Sequence, residues 1–164
     1  MSVTAKSIMS TDIIAAHVKM QVSDLSKMLR EHDISGAPVV DDNGYLVGVV
    51  SITDILLHGE MFDEMMSVDS EYHKSHDDTG YASLSDDFVP DEVENLQVRD
   101  IMSTEVRSVS VDTAIEEVAR MMYTDRIHRM LVLDDSRLVG ILSTMDVLRA
   151  VMERVLAPHN QFVD

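Results

Sequence analysis

The sequence predicts an α/β fold built from two β-α-β-β-α units packed with pseudo-two-fold symmetry, and three observations lead there. First, a stretch of about sixty residues occurs twice, the mark of a repeat architecture. Ile8-Met9-Ser10-Thr11 returns as Ile101-Met102-Ser103-Thr104, 93 positions on, and Leu46 to Asp54 returns as Leu138 to Asp146, 92 positions on. Second, the lost residue falls in a turn, where Asp41-Asp42-Asn43-Gly44 is answered by Asp134-Asp135-Ser136. A deletion there leaves the flanking strands in phase. Third, a unit of this size buries little core alone, so two copies are expected to pack together.

The elements follow in order. Ile13 and Ile14 mark a short extended segment, and Val22, Leu25, Met28 and Leu29 recur at helical spacing. Ser23 and Asp24 stand near the start of that helix, where polar caps and negative charge are favoured. Gly36-Ala37-Pro38 ends the pattern. Pro38–Val40 and Leu46–Val50 read as strands joined through Asn43-Gly44, a strong hairpin signal. A closing helix starts around Ser51–Asp54 and includes Ile55, Leu56 and Leu57. In the second copy Val106 and Val109 take the extended segment, and Ile115, Val118, Met121 and Met122 the helix face. Met130–Leu133 and Leu138–Leu142 take the hairpin, and Val147, Leu148 and Val151 the closing helix. The boundaries expected are 5–57 for the first unit, 58–97 for an acidic insert or linker, 98–152 for the second unit and 153–164 for a tail.

Composition narrows the function. The formal charge is −17, and residues 58–95 hold twelve acids against Lys74 alone. Such a chain is a poor general binder of nucleic acid or of an anionic membrane, since both need clustered Lys and Arg. A small phosphorylated ligand remains compatible, because a few local arginines outweigh acids beyond a Debye length of about 8 Å. There is no cysteine, so neither a disulfide framework nor a thiolate metal site is available. The first residues lack the apolar core of a signal peptide, and no apolar run approaches a span of about 20 residues. The expected location is the cytoplasm. The insert is long for a compact domain and reads as a solvated acidic linker or a functional insert.

The residues that carry chemistry are Gly48, Ser51 and Asp54, repeated as Gly140, Ser143 and Asp146. Ser-x-x-Asp at a helix start is the pattern of a capping box, in which the two side chains satisfy orphan backbone donors. Both copies also follow a glycine-containing strand, and a helix N-terminus offers free amides and positive potential to an anion. A carboxylate there can accept both vicinal hydroxyls of a ribose. Capping and binding can coexist at one serine, and the repeated arrangement favours a ligand site.

These stretches, the two Ile-Met-Ser-Thr openings and the run Ile34 to Asp41 resemble a tandem pair of cystathionine-β-synthase (CBS) domains, a Bateman module. The resemblance covers roughly residues 5–57 and 98–152. It implies a regulatory, non-catalytic module whose clefts hold an adenosine-containing ligand: AMP, ADP, ATP, S-adenosylmethionine or a cyclic dinucleotide. Adenine nucleotides are the expected ligands, with no metal required. By the same resemblance Asp54 and Asp146 meet the ribose, and Ser51 and Ser143 lie near ribose or phosphate. Thr53 matches a second hydroxyl position, taken by Met145 in the second copy, and Thr144 beside Ser143 joins the candidate set. Thr11 and Thr104 match a threonine at the mouth of the cleft. Gly36, Ala37 and Pro38 match the backbone edging the adenine, with Arg129, Met130 and Leu131 as counterparts. His128-Arg129 is similar to the His-Arg pair that contacts phosphates in the gamma subunit of AMP-activated protein kinase, and a guanidinium fork suits that task. Ser35-Gly36 replaces the pair in the first copy, so the two clefts are expected to be chemically unequal.

The resemblance further implies a homodimer, here through a closing helix continued by Met61, Phe62, Met65 and Met66, and a regulated partner protein of unknown identity. Two other functions compete with this one: a scaffold without ligand, and a metal-dependent phosphohydrolase using His73, His76 and Asp77. The histidines read best as part of an acidic tract without apolar packing to organise a metal site. Most methionines read as core filler.

Overall fold

The computed structural model describes residues 3–58, 93 and 95–156. The first repeat forms α1 (Ala5–Ile8), β1 (Ala16–His17), α2 (Val22–Glu31), β2 (Gly36–Val40), β3 (Leu46–Ser51) and α3 (Ile52–His58). The second forms α4 (Val98–Ile101), β4 (Ser108–Ser110), α5 (Ile115–Asp125), β5 (Arg129–Asp134), β6 (Arg137–Ser143) and α6 (Thr144–Leu156). Each repeat contributes one three-stranded sheet, ordered β1-β2-β3 and β4-β5-β6. The outer pair is parallel, reached across the helix between them, and the inner pair is an antiparallel hairpin.

The helices form because apolar residues fall on one face. Val22, Leu25 and Leu29 of α2 are buried, as are Ile115, Val118 and Met122 of α5. A fully buried leucine such as Leu25 or Leu29 contributes about 1.5–3 kcal/mol. Neither Ser23 nor Asp24 caps α2. The cap position is Gln21, which makes no side-chain cap bond, and the Val22 amide donates instead to the Leu96 carbonyl. Asp33, after α2, and Arg126, closing α5, adopt positive φ of 51° and 54°. These are left-handed ends made without glycine.

The first strand departs from expectation. Pairing starts at Ala16, opposite Val39, and Ile13 and Ile14 precede it as a half-buried connection. Likewise Val106 lies outside β4, while Val109 lies within it. Apolar character marked the neighbourhood, but the strand begins only where a partner backbone is available. Both hairpins carry a register shift at the same place, between Val39 and Val40 and between Val132 and Leu133. In the first turn the Asp41 carboxylate accepts the Asn43 and Tyr45 amides, and Gly44 takes φ 79°. The second is a two-residue turn with Asp135 and Ser136 at φ 45° and 69°, a type I′ geometry that matches strand twist.

Repeats in sequence and compact units in space divide the chain differently. One unit joins Met1–Ile13 to Arg107–Asp164, and the other spans Ile14–Val106. The opening segment of each repeat therefore packs on the other repeat. In the first unit, Ala5, with Val3, Ile8 and Met9 against it, belongs to the core of β4, α5, β5 and β6. In the second, Val98 and Ile101 belong to the core of α2, β2 and β3. Val93, at the end of the acidic connection, is fully buried in that same core. Met61, Phe62, Met65 and Met66 lie outside the described residues.

Candidate functional site

Gly48 and Gly140 sit where the opening segments cross the hairpins. Ser103 and Val49 exchange two backbone hydrogen bonds of 2.9 Å, and so do Ser10 and Ile141. A Cβ on Gly48 would stand 2.7 Å from the Ser103 carbonyl oxygen and 2.9 Å from the Met102 sulfur. On Gly140 it would collide with the Met9 side chain. Each glycine is thus required by close approach of another segment. The crossing carries Thr104 to the edge of β3 and Thr11 to the edge of β6, both exposed. Thr104 accordingly shares a unit with Ser51 and Asp54, and Thr11 with Ser143 and Asp146.

Beyond those glycines each strand runs into a helix through the same device. Asp54 Oδ2 accepts the Ser51 amide and hydroxyl, both at 2.7 Å, and Ser51 Oγ accepts the Asp54 amide at 3.3 Å. In the second copy Asp146 Oδ2 accepts the Ser143 amide at 2.9 Å and its hydroxyl at 2.6 Å, and Ser143 Oγ accepts the Asp146 amide at 3.2 Å. This is a reciprocal capping box with aspartate in the acidic position. The box uses one carboxylate oxygen, Oδ2, and leaves Oδ1 outside the cap.

The second oxygens differ. Asp146 Oδ1 accepts Arg149 Nη2 at 3.0 Å, whereas three residues beyond Asp54 stands Leu57. Burial raises the Asp146 carboxyl pKa, but hydrogen bonds from the Ser143 hydroxyl and amide and the Arg149 charge outweigh it and hold the group below the ordinary carboxylate range. Arg149 carried no motif in the sequence. Its helical spacing from Asp146 was the only signal that could have singled it out.

Sheet register gathers the remaining candidates. Gly36 pairs with Ser51 and Ala37 with Val50, and Pro38 is buried opposite Val49. A Cβ on Gly36 would lie 3.0 Å from the Val50 carbonyl, so the backbone there is tightly apposed. In the second sheet Arg129 pairs with Ser143 and Met130 with Leu142, and the Thr144 amide donates to the His128 carbonyl at 3.0 Å. His128 and Arg129 are exposed, while Met130 is fully buried. Met130 therefore exposes no side chain, and only its backbone is left to serve a site. Thr53 is exposed in the first turn of α3, and Thr144 is half-buried at the start of α6.

Among the described residues no group of three or more His, Asp or Glu could hold a metal ion, and His73, His76 and Asp77 lie outside them. No described helix is long and apolar enough to cross a membrane.

The chain is 31% identical over 136 residues to an uncharacterized protein of Methanocaldococcus jannaschii, covering 79% of this chain and 80% of that one. It is 32% identical over 142 residues to the chloroplastic CBS domain-containing protein CBSX2 of Arabidopsis thaliana, covering 80% of this chain and 56% of that longer one. The crystal structure of CBSX2 in complex with AMP superposes with a TM-score of 0.65 at 26% identity, over 93% of this chain and 98% of the other. The CBS domain profile matches residues 5–59 and 98–153. Two matched segments, each ending in the glycine–serine–aspartate box, place the chain in the CBS domain family.

Proposed function

We propose that this protein is a regulatory module that binds an adenine nucleotide at its two Ser-x-x-Asp boxes and passes occupancy to a partner protein, without catalysing a reaction. The observation that carries the reading is the half-used aspartate. In each box one carboxylate oxygen anchors the helix start and the other takes no part in the cap, which leaves it to meet a ribose diol, at Asp146 in competition with Arg149. The relative solved with AMP, at 26% identity, supports the ligand class. Thr11, Ser143, Thr144, Asp146, His128, Arg129 and the Met130 backbone form the set around one box. Thr104, Ser51, Thr53, Asp54 and the backbone of Gly36, Ala37 and Pro38 form the set around the other. Exposed Arg129, directly across from Ser143, gives the second set a phosphate partner that glycine cannot supply.

A ligand that binds one arrangement of the repeats better than another shifts their population, and that shift is the message to the partner. A cytoplasmic setting belongs to the same reading. The domain boundaries proposed remain 5–57 and 98–152, with the acidic connection between them. Self-association belongs to the same reading. Met145, Leu148 and Met152 follow one another along α6 at helical spacing and are 69%, 55% and 57% exposed. A second copy would remove that stripe from water.

Calorimetric titration of the full chain with AMP, ADP, ATP, S-adenosylmethionine and cyclic di-AMP tests the ligand class, with ATP turnover followed in parallel. Saturable adenine nucleotide binding without turnover is expected. Binding only to S-adenosylmethionine or to the cyclic dinucleotide would reassign the ligand. No binding at all would leave a scaffold.

A further inference from the structure

The two boxes are alike in backbone and differ in what reaches the aspartate. Asp54 Oδ2 takes the Ser51 amide and hydroxyl, and no described residue donates to Oδ1. Asp146 Oδ2 is engaged in the same way, but its Oδ1 already accepts Arg149 Nη2 at 3.0 Å. The position that holds Arg149 in α6 is held in α3 by Leu57, which cannot donate. Resting on the ribose-binding role proposed above, we infer that Arg149 is a specificity-determining residue: an internal competitor for Asp146 that disfavours uncharged nucleosides at the second box, while the first box lacks this discrimination.

Arg149 and a ribose diol compete for the same acceptor sites. A carboxylate oxygen offers two lone pairs, and a vicinal diol brings two donors. With Arg149 in place the diol must displace the guanidinium or share the oxygen with it. The Arg149 side chain is 57% exposed and anchored at one end only, so it can swing away. A neutral nucleoside offers the displaced guanidinium nothing. A ligand phosphate offers two oxygens to the planar guanidinium fork, so displacement costs less when the ligand is charged. Exposed ion pairs of this kind are weak, and the discrimination they supply is about two- to fivefold.

The test compares adenosine and AMP binding to the full chain, to Arg149→Gln and to Leu57→Arg. Amide NMR shifts of Ser143 and Ser51 report each box separately. Arg149→Gln is expected to tighten adenosine at the Ser143 box about two- to fivefold and to reduce the preference for AMP there, leaving Ser51 unaffected. Leu57→Arg should weaken adenosine at the Ser51 box by a similar factor. If Arg149→Gln leaves the adenosine-to-AMP ratio at Ser143 unchanged, or weakens both ligands equally, Arg149 is a structural or positioning residue and the inference is overturned. If neither ligand shifts either amide in any of the three proteins, the nucleotide-binding reading itself fails, and the inference with it.

Discussion

Ser143 and Asp146 form a box in which the helix cap and the proposed ribose site share the same atoms. Ser143 Oγ accepts the Asp146 amide and donates to its carboxylate, so Ser143→Ala removes a helix cap together with a carboxylate partner. Loss of such a cap costs about 1 kcal/mol, and a comparable loss is expected for Ser51→Ala. The Asp146 carboxyl is held below its ordinary value, so its stabilisation is present above the unfolded-state pKa of about 3.9 and is lost as pH falls through the folded value. The Ser143→Ala penalty, measured by denaturant unfolding, should therefore be greatest near neutrality and shrink in acid. A penalty independent of pH would show that the carboxylate plays no part in it. The capping role of this box was readable from Ser-x-x-Asp spacing, because the helical period brings those side chains together. The Arg149 contact was not, since an arginine three residues from an acid on a helix is commonplace.

At the scale of elements, the glycines in the hairpins explain why the repeats interlock as they do. A methyl group on Gly48 meets a backbone oxygen at 2.7 Å, which moves only if the whole opening segment moves. On Gly140 it meets the flexible side chain of Met9. Gly48→Ala should lose roughly 1–3 kcal/mol in unfolding free energy, in the range of overpacking, and Gly140→Ala less. Equal or negligible losses would contradict the crossing described. Strand identity was legible in the short apolar runs either side of Asn43-Gly44, and helix identity in the spacing of Val22, Leu25 and Leu29. The exchange of opening segments was not, because Ile-Met-Ser-Thr reads the same whichever sheet receives it. The first strand was misplaced for a related reason. Ile13 and Ile14 are the more apolar residues, yet hydrogen-bonding partners exist only from Ala16 onward.

For the molecule as a whole, burial and charge pull in opposite directions. The exposed apolar stripe of α6 favours association, and a charge of −17 on each copy opposes it. A homodimer whose population rises with salt is expected from light scattering, and Leu148→Asp should shift it to monomer. A salt-independent monomer would show that α6 is not a self-association surface. The face expected from sequence to serve this role, Met61 to Met66, lies outside the described residues. The stripe on α6 is instead visible from the exposure of Met145, Leu148 and Met152. Periodicity identified that helix but could not tell which of its apolar residues face solvent.

The central claim is that Asp54 and Asp146 hold a ribose, and its most direct test is AMP titration of the wild-type chain beside the Asp54→Asn/Asp146→Asn double variant. Asparagine retains an oxygen for the capping box while removing the charge that strengthens the diol bonds. The account predicts that wild type binds and that the folded double variant loses roughly tenfold or more in affinity, as expected for charge-assisted hydrogen bonds of about 1.5–3 kcal/mol. Equal affinity in the two folded proteins would show that these carboxylates only cap their helices.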